Sequence, residues 1–187
     1  MSFGVPRLYL YLFSCPDTGN PCTTNTCSSN TCVETDLTPE FPILNGFEDG
    51  SGSCSWNCWT DGGRNAALIT NKNNRHSGNC ALRLQDDTTS SRVTSSWLDV
   101  DNFITLKVSF WYRPRKNIEN FHLDIKKDGG SFLPERTWDN LGSGYKQAFV
   151  DIDVAGVKKV KVRFESEGAS KKDRVFIDEI TVDAIKD

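Results

Sequence analysis

No stretch of the chain approaches the ~20 consecutive apolar residues that a membrane-spanning helix requires, so no transmembrane segment is expected. Basic excess is lacking too. Residues 1–42 hold Arg7 against Asp17, Glu34, Asp36 and Glu40, and the rest of the chain carries as many bases as acids. A phosphate backbone is gripped by clustered Lys and Arg, so no nucleic acid partner is expected. Histidine is nearly absent, with only His76 and His122 as near-neutral bases. Ser77 beside His76 has no G-x-S-x-G elbow around it, and neighbours in sequence do not make a triad. The adjacent acids Asp86-Asp87 and Asp178-Glu179 point to opposite faces if they lie on strands, so neither pair can flank one glycosidic bond. The composition therefore argues against an enzyme. Asn-x-Ser/Thr sequons are absent as well, which removes one sign of secretion without excluding it.

Cysteine is not scarce, but it stops at Cys80. Cys15, Cys22, Cys27 and Cys32 fall within eighteen residues rich in Thr, Ser and Asn. Such a segment has no apolar core, so disulfides are the expected means of ordering it. Zinc is the rival, but gaps of six, four and four residues fit C-x2-C pairs poorly and no histidine lies nearby. Cys54, Cys58 and Cys80 leave an odd thiol: one is free, pairs with the N-terminal cluster, or reaches another chain. Disulfide use on this scale places the protein outside the cell or on its surface. The first fourteen residues read either as a signal peptide around Leu8 to Phe13 or as a retained arm that contacts a partner chain.

The chain divides near Thr38-Pro39-Glu40-Phe41-Pro42, where two prolines disfavour regular structure. Residues 1–42 form a cysteine-rich arm; residues 43–187 form the main domain. Strands are expected at 81–84, 92–100, 104–113, 120–126, 147–152, 159–165 and 175–182. Asp128-Gly129-Gly130, Gly142-Ser143-Gly144 and Ala155-Gly156 supply turns between them. No helical period exceeds about two turns. The expected fold is all-β, a jelly-roll sandwich of two antiparallel sheets.

Two further patterns bear on function. Glu48 beside Phe47 and Asp178 within Val175–Val182 bring carboxylates into apolar runs, which is costly unless they are paired. They are expected either to share a cation or basic partner or to act separately, capping strands or pairing with Arg174 or Arg83. On the strand at 104–113, Leu106, Val108, Phe110 and Tyr112 share the core face, leaving Trp111 among Lys107, Ser109 and Arg113. Grouping Trp111 and Arg113 with His122, Asp124 and Arg163 gives an aromatic plate amid polar groups, as a saccharide site requires. Trp138, in a loop-like stretch, is a further candidate contact, whereas Trp56, Trp59 and Trp97 are expected to be buried. The competing reading is a polar sheet face on which Trp111 merely packs against Arg113 or the arm.

Asn45-Gly46-Phe47-Glu48-Asp49-Gly50 followed by Cys54-Ser55-Trp56 resembles the opening of MAM domains. His76-Ser77-Gly78-Asn79 with Ala81–Leu84, then Val108-Ser109-Phe110-Trp111-Tyr112, Val162–Ser166 and Phe176–Ile180, resemble their later strands in order. The same order also resembles cleaved-adhesin domains and the galactose-binding-like jelly rolls that include carbohydrate-binding modules. This resemblance implies an extracellular adhesion or glycan-binding module with a glycan or surface protein as partner. It also implies a structural calcium, with Glu48 and Asp178 as ligands and backbone oxygens near Ser77 to Cys80 completing the shell. The chain departs from MAM domains in having no cysteine after Cys80. The alternative expectation is a structural subunit of an extracellular filament, sheath or shell, self-assembling through its arm.

Overall fold

The computed structural model describes residues 23–28, 31–36, 41–48, 51–61, 65–86, 91–115, 120–139, 142–167 and 173–186. Within them β1 (Thr23–Ser28) and β2 (Thr31–Asp36) make an antiparallel hairpin that places Cys27 opposite Cys32 in backbone register. The expected arm segment at Leu8 to Phe13, and Cys15 and Cys22, lie outside the described residues. The next strands are β3 (Ile43–Asn45), β4 (Trp59–Asp61), β5 (Ala66–Ile69), β6 (Ala81–Asp86), β7 (Ser91–Ser95), β8 (Leu98–Asp99) and β9 (Thr105–Arg115). They are followed by β10 (Asn120–Lys127), β11 (Phe132–Trp138), β12 (Lys146–Asp153), β13 (Lys159–Glu167) and β14 (Asp173–Ile185). Among the described residues the helical content is one 3₁₀ turn, Lys72–Asn74.

Two antiparallel sheets hold β3 to β14. The first runs β12-β9-β14-β6-β5, with β3 alongside β14; the second runs β11-β10-β13-β7-β4, with β8 alongside β13. This is the all-β, two-sheet sandwich expected from the alternation. Leu106, Val108, Phe110 and Tyr112 of β9 point into the core, as do Val160, Val162 and Phe164 of β13 and Phe121, Leu123 and Ile125 of β10. Phe110 sits at the centre, edge-on to Phe164 at 4.8 Å and to Phe121 at 6.0 Å. Each fully buried Phe or Leu contributes about 2 kcal/mol of transfer free energy, so period-two alternation alone gives each strand a reason to choose its face.

All seven expected strands are present, and the stretch 92–100 resolves into β7 and β8. Strand β14 holds a change of parity. Val175 and Ile177 are buried on one side, whereas Ile180 and Val182 are the buried pair after Asp178. A register shift against β9 between Asp178 and Thr181, with Glu179 at φ 49°, inserts the extra residue. Such a bulge re-aims a side chain, and here the side chain is that of Asp178.

Cys54 and Cys80 form a disulfide that ties the β3–β4 connection to the start of β6. Cys58 is also disulfide-bonded. The free-thiol option for these three cysteines is therefore removed.

Candidate functional site

The two carboxylates picked out in sequence converge on a single loop. Glu48 Oε1 accepts from the backbone N–H groups of Asn79 and Cys80 at 2.6 and 2.8 Å. Asp178 Oδ2 accepts from His76 N–H at 2.7 Å and Ser77 N–H at 3.1 Å, and its Oδ1 accepts from Glu179 N–H at 2.9 Å. The backbone is shaped for this meeting. Phe47, next to Glu48, has φ 62° and is fully buried; Glu179, next to Asp178, has φ 49°. Left-handed conformations at non-glycine residues cost energy and persist where surrounding contacts enforce them. At Gly78, with φ 53°, a Cβ would overlap the Glu48 carboxylate.

Burial pushes the Asp178 carboxyl above the usual carboxylate range and the Glu48 charge adds to the rise, while the three N–H donors pull it back. Burial and the Asp178 charge also push the Tyr145 phenol upward, and its hydroxyl is buried without a hydrogen-bond partner. No ion pair from a basic side chain to Glu48 or Asp178 is seen among the described residues. The contact with the loop has the opposite polarity to the expected one: residues 76–80 present N–H groups to the acids. Two unpaired, converging carboxylates suit a hard cation. Among the described residues no third acidic, His or Cys side chain joins them, so carbonyl oxygens and water would supply the remaining ligands.

The aromatic face expected from sequence is divided between the two sheets. Trp111 and Arg113 lie on β9, on the outer face of the first sheet, whereas His122 and Asp124 on β10 and Arg163 on β13 lie on the outer face of the second. Grouping them misjudged the topology, because β9 and β10 follow one another in sequence but belong to opposite layers. Trp111 is covered: His76 stacks on it with ring centroids 3.9 Å apart and planes 11° apart. His76 is held there by Glu179, with Nδ1 2.9 Å from Oε2, and by the edge of Tyr145. Arg113 donates to the Asn73 carbonyl and lies over the Tyr145 ring. Trp138 ends β11 rather than sitting in a loop, and it stacks on Phe121 at 5.2 Å against the core.

On the second sheet, in contrast, the expected polar residues do meet. Asp124, Arg163 and Thr94 are cross-strand neighbours in one row, and His122, Glu165 and Arg92 form the next. Arg163 donates to Asp124 Oδ2 from Nε and Nη2 at 2.8 and 2.6 Å, and Nη2 lies 2.9 Å from Glu165 Oε2. Asp124 is only 2% exposed, and its other oxygen, Oδ1, is buried without a hydrogen-bond partner. His122 Nδ1 is 3.1 Å from Thr137 Oγ1, while Nε2 lies 3.5 Å from Glu167 Oε2, in ion-pair range but without a hydrogen bond.

Two aromatic rings missed in sequence flank this network. Phe132 of β11 lies 4.3 Å from the Arg163 guanidinium. Trp97, expected to be buried, is half-buried with Lys126, Lys159 and Lys161 over its ring. The alternation Lys159, Lys161, Arg163 was the available signal, because it placed three bases on one face beside Lys126.

Solved structures share this two-sheet, all-β sandwich. The chain is similar to the K1 cleaved adhesin domain of Lys-gingipain from Porphyromonas gingivalis W83, at 15% identity and TM-score 0.57, covering 78% of this chain and 99% of that one. It is similar to a family 16 carbohydrate-binding module at 10% identity and TM-score 0.57, covering 74% and 99%. A third is the CBM22-1 xylan-binding domain of Xyn10C from Paenibacillus barcinonensis, at 13% identity and TM-score 0.51, covering 78% and 94%. The fold is thus the jelly roll of cleaved adhesin domains and carbohydrate-binding modules, as the resemblance implied. No family model matches the sequence, and no curated protein does.

Proposed function

We propose that this domain is a non-catalytic, extracellular carbohydrate-binding module whose binding face is the outer surface of the second sheet. One observation carries the reading: a guanidinium fixed by two carboxylates, Asp124–Arg163–Glu165, lies over the half-buried ring of Phe132, and Lys126 reaches both that ring and the half-buried ring of Trp97. Rings provide a flat apolar surface for a pyranose, and the fixed polar groups address its hydroxyls. His122 and Thr137 extend the row of donors and acceptors. The solved relatives include a xylan-binding domain, which supports the same class of ligand. Asp124 and Glu165 are both committed to Arg163, which suits positioning better than acid–base chemistry. The Cys54–Cys80 disulfide supports an oxidising location.

Glu48 and Asp178 hold a structural calcium in this reading. The cation would neutralise two acids that share one loop and so lock the ends of the chain's sandwich together. The test of binding is affinity electrophoresis against soluble polysaccharides. Retardation by at least one of them, lost in Trp97→Ala, supports the module; no retardation by any of them contradicts it.

A second reading, an assembling structural subunit, has one feature in its favour. Phe149 is 72% exposed on β12, an edge strand whose unpaired side could accept another chain. The mass of the native species in solution separates the two readings: a monomer supports the binding module and a large assembly the subunit.

A further inference from the structure

Three ammonium groups converge on one aromatic ring. Lys159 Nζ lies 4.8 Å from the Trp97 ring centroid, Lys161 Nζ 5.3 Å and Lys126 Nζ 5.8 Å. Lys126 also reaches to 5.9 Å from Phe132. None of the three is ion-paired among the described residues. Each contact with the ring is favourable, but like charges gathered on one plate repel. An anion seated on the plate would relieve that repulsion.

Beside the plate lies a cleft of about 240 Å³ lined by Trp97, Asp99, Asp101, Lys158 and Lys159. Its carboxylates are partly engaged with the backbone: Asp99 Oδ1 accepts from Asp101 N–H at 2.9 Å, and nearby Asp128 Oδ1 accepts from Lys158 and Lys159 N–H at 3.2 Å each. Asp99 stands opposite Lys159 in register without pairing to it. Lys126, Lys158, Lys159 and Lys161 outnumber Asp99, Asp101 and Asp128 by one here, a small basic excess around Trp97.

We infer that the ligand is an acidic saccharide, its pyranose ring over Trp97 and its carboxylate or sulfate held by Lys126, Lys159 and Lys161. This rests on the glycan-binding reading above and specifies its ligand class. A nucleic acid strand suits the site less well. Asp99 and Asp101 beside the lysines repel a continuous phosphate chain, whereas a saccharide with one anion per ring leaves hydroxyls for them to accept from.

The test measures binding of the full chain to polygalacturonate, a sulfated galactan, a neutral galactan and a single-stranded oligonucleotide, at low and raised salt. Polygalacturonate carries carboxylates and the sulfated galactan sulfates, so the two arms identify the anion. The expected result is binding of at least one acidic polymer about tenfold or more tighter than the neutral galactan, weakening with salt. The triple variant Lys126→Gln/Lys159→Gln/Lys161→Gln should lose that preference while melting at the same temperature as the parent. Trp97→Ala should lose saccharide binding altogether. Equal or exclusive binding of the neutral galactan overturns the acidic ligand while leaving the glycan reading intact. Binding of no polysaccharide overturns both, and an oligonucleotide held as tightly as the acidic polymers overturns the saccharide.

Discussion

Glu48 and Asp178 hold opposite ends of one loop: Glu48 accepts from the N–H groups of Asn79 and Cys80, Asp178 from those of His76 and Ser77. The first acid lies just beyond β3 and the second in β14, the last strand, so the loop before β6 joins the beginning and end of the sandwich. Gly78 makes this possible, because any Cβ there would displace the Glu48 carboxylate. Gly78→Ala is expected to destabilise by about 1–3 kcal/mol, through left-handed strain and the loss of two charge-assisted hydrogen bonds. Urea denaturation measures it; an unchanged midpoint would show that Glu48 is not held by this loop.

The pH response of the same pair has opposite signs with and without a cation. In chelator, the folded-state pKa of Asp178 is raised above its unfolded value, so the folded protein binds the proton more tightly. Stability from this group is then greatest at low pH and falls as pH rises through the folded pKa. With calcium bound, acidification should instead weaken the site by protonating its ligands. Melting temperatures measured from the ordinary carboxylate range upward in pH, with and without calcium, check both slopes. Identical curves with and without calcium would remove the cation from the account.

Arg163 anchors the binding face and also satisfies a buried acid. Arg163→Met leaves Asp124 unpaired at 2% exposure, and the expected cost is about 3–5 kcal/mol. Asp124→Leu/Arg163→Met should recover much of that loss, because the stranded charge is gone. A double variant no better than the single one would mean that Glu165, the other partner of Arg163, dominates the network.

The Cys54–Cys80 bridge closes a sequence separation of 26 residues. On the chain-entropy account, Cys54→Ser/Cys80→Ser should lose about 3 kcal/mol and roughly 6–12 °C of melting temperature. Calorimetry decides it, and a shift below about 2 °C would show that the β3–β4 connection is held by packing alone.

Alternation made the layers legible from sequence but left their assignment open. In β9 and β13 every second residue is apolar, so each strand's faces were clear, but nothing in a single strand says which sheet it joins. That is why Trp111 and Arg163 were grouped, although they belong to opposite outer surfaces. Strand β11 was hidden by Pro134 and a run of charged residues; it lies at a sheet edge, where proline needs no ladder partner. The bulge in β14 left no clear trace, because the unbroken apolar run Val175-Phe176-Ile177 before Asp178 has no parity for Ile180 and Val182 to break. The hairpin β1–β2 left none, since its Thr and Asn residues carry no apolar period.

The central claim is that saccharides bind the second sheet and not the first, and a pair of variants tests it directly. The measurement is the affinity of wild type, Trp97→Ala and Trp111→Ala for whichever polysaccharide retards the parent protein. The account predicts a loss of about tenfold or more in Trp97→Ala and unchanged affinity in Trp111→Ala, because His76 already covers the Trp111 ring. Loss of affinity in Trp111→Ala with Trp97→Ala unaffected would contradict it and move the binding face to the other side of the sandwich.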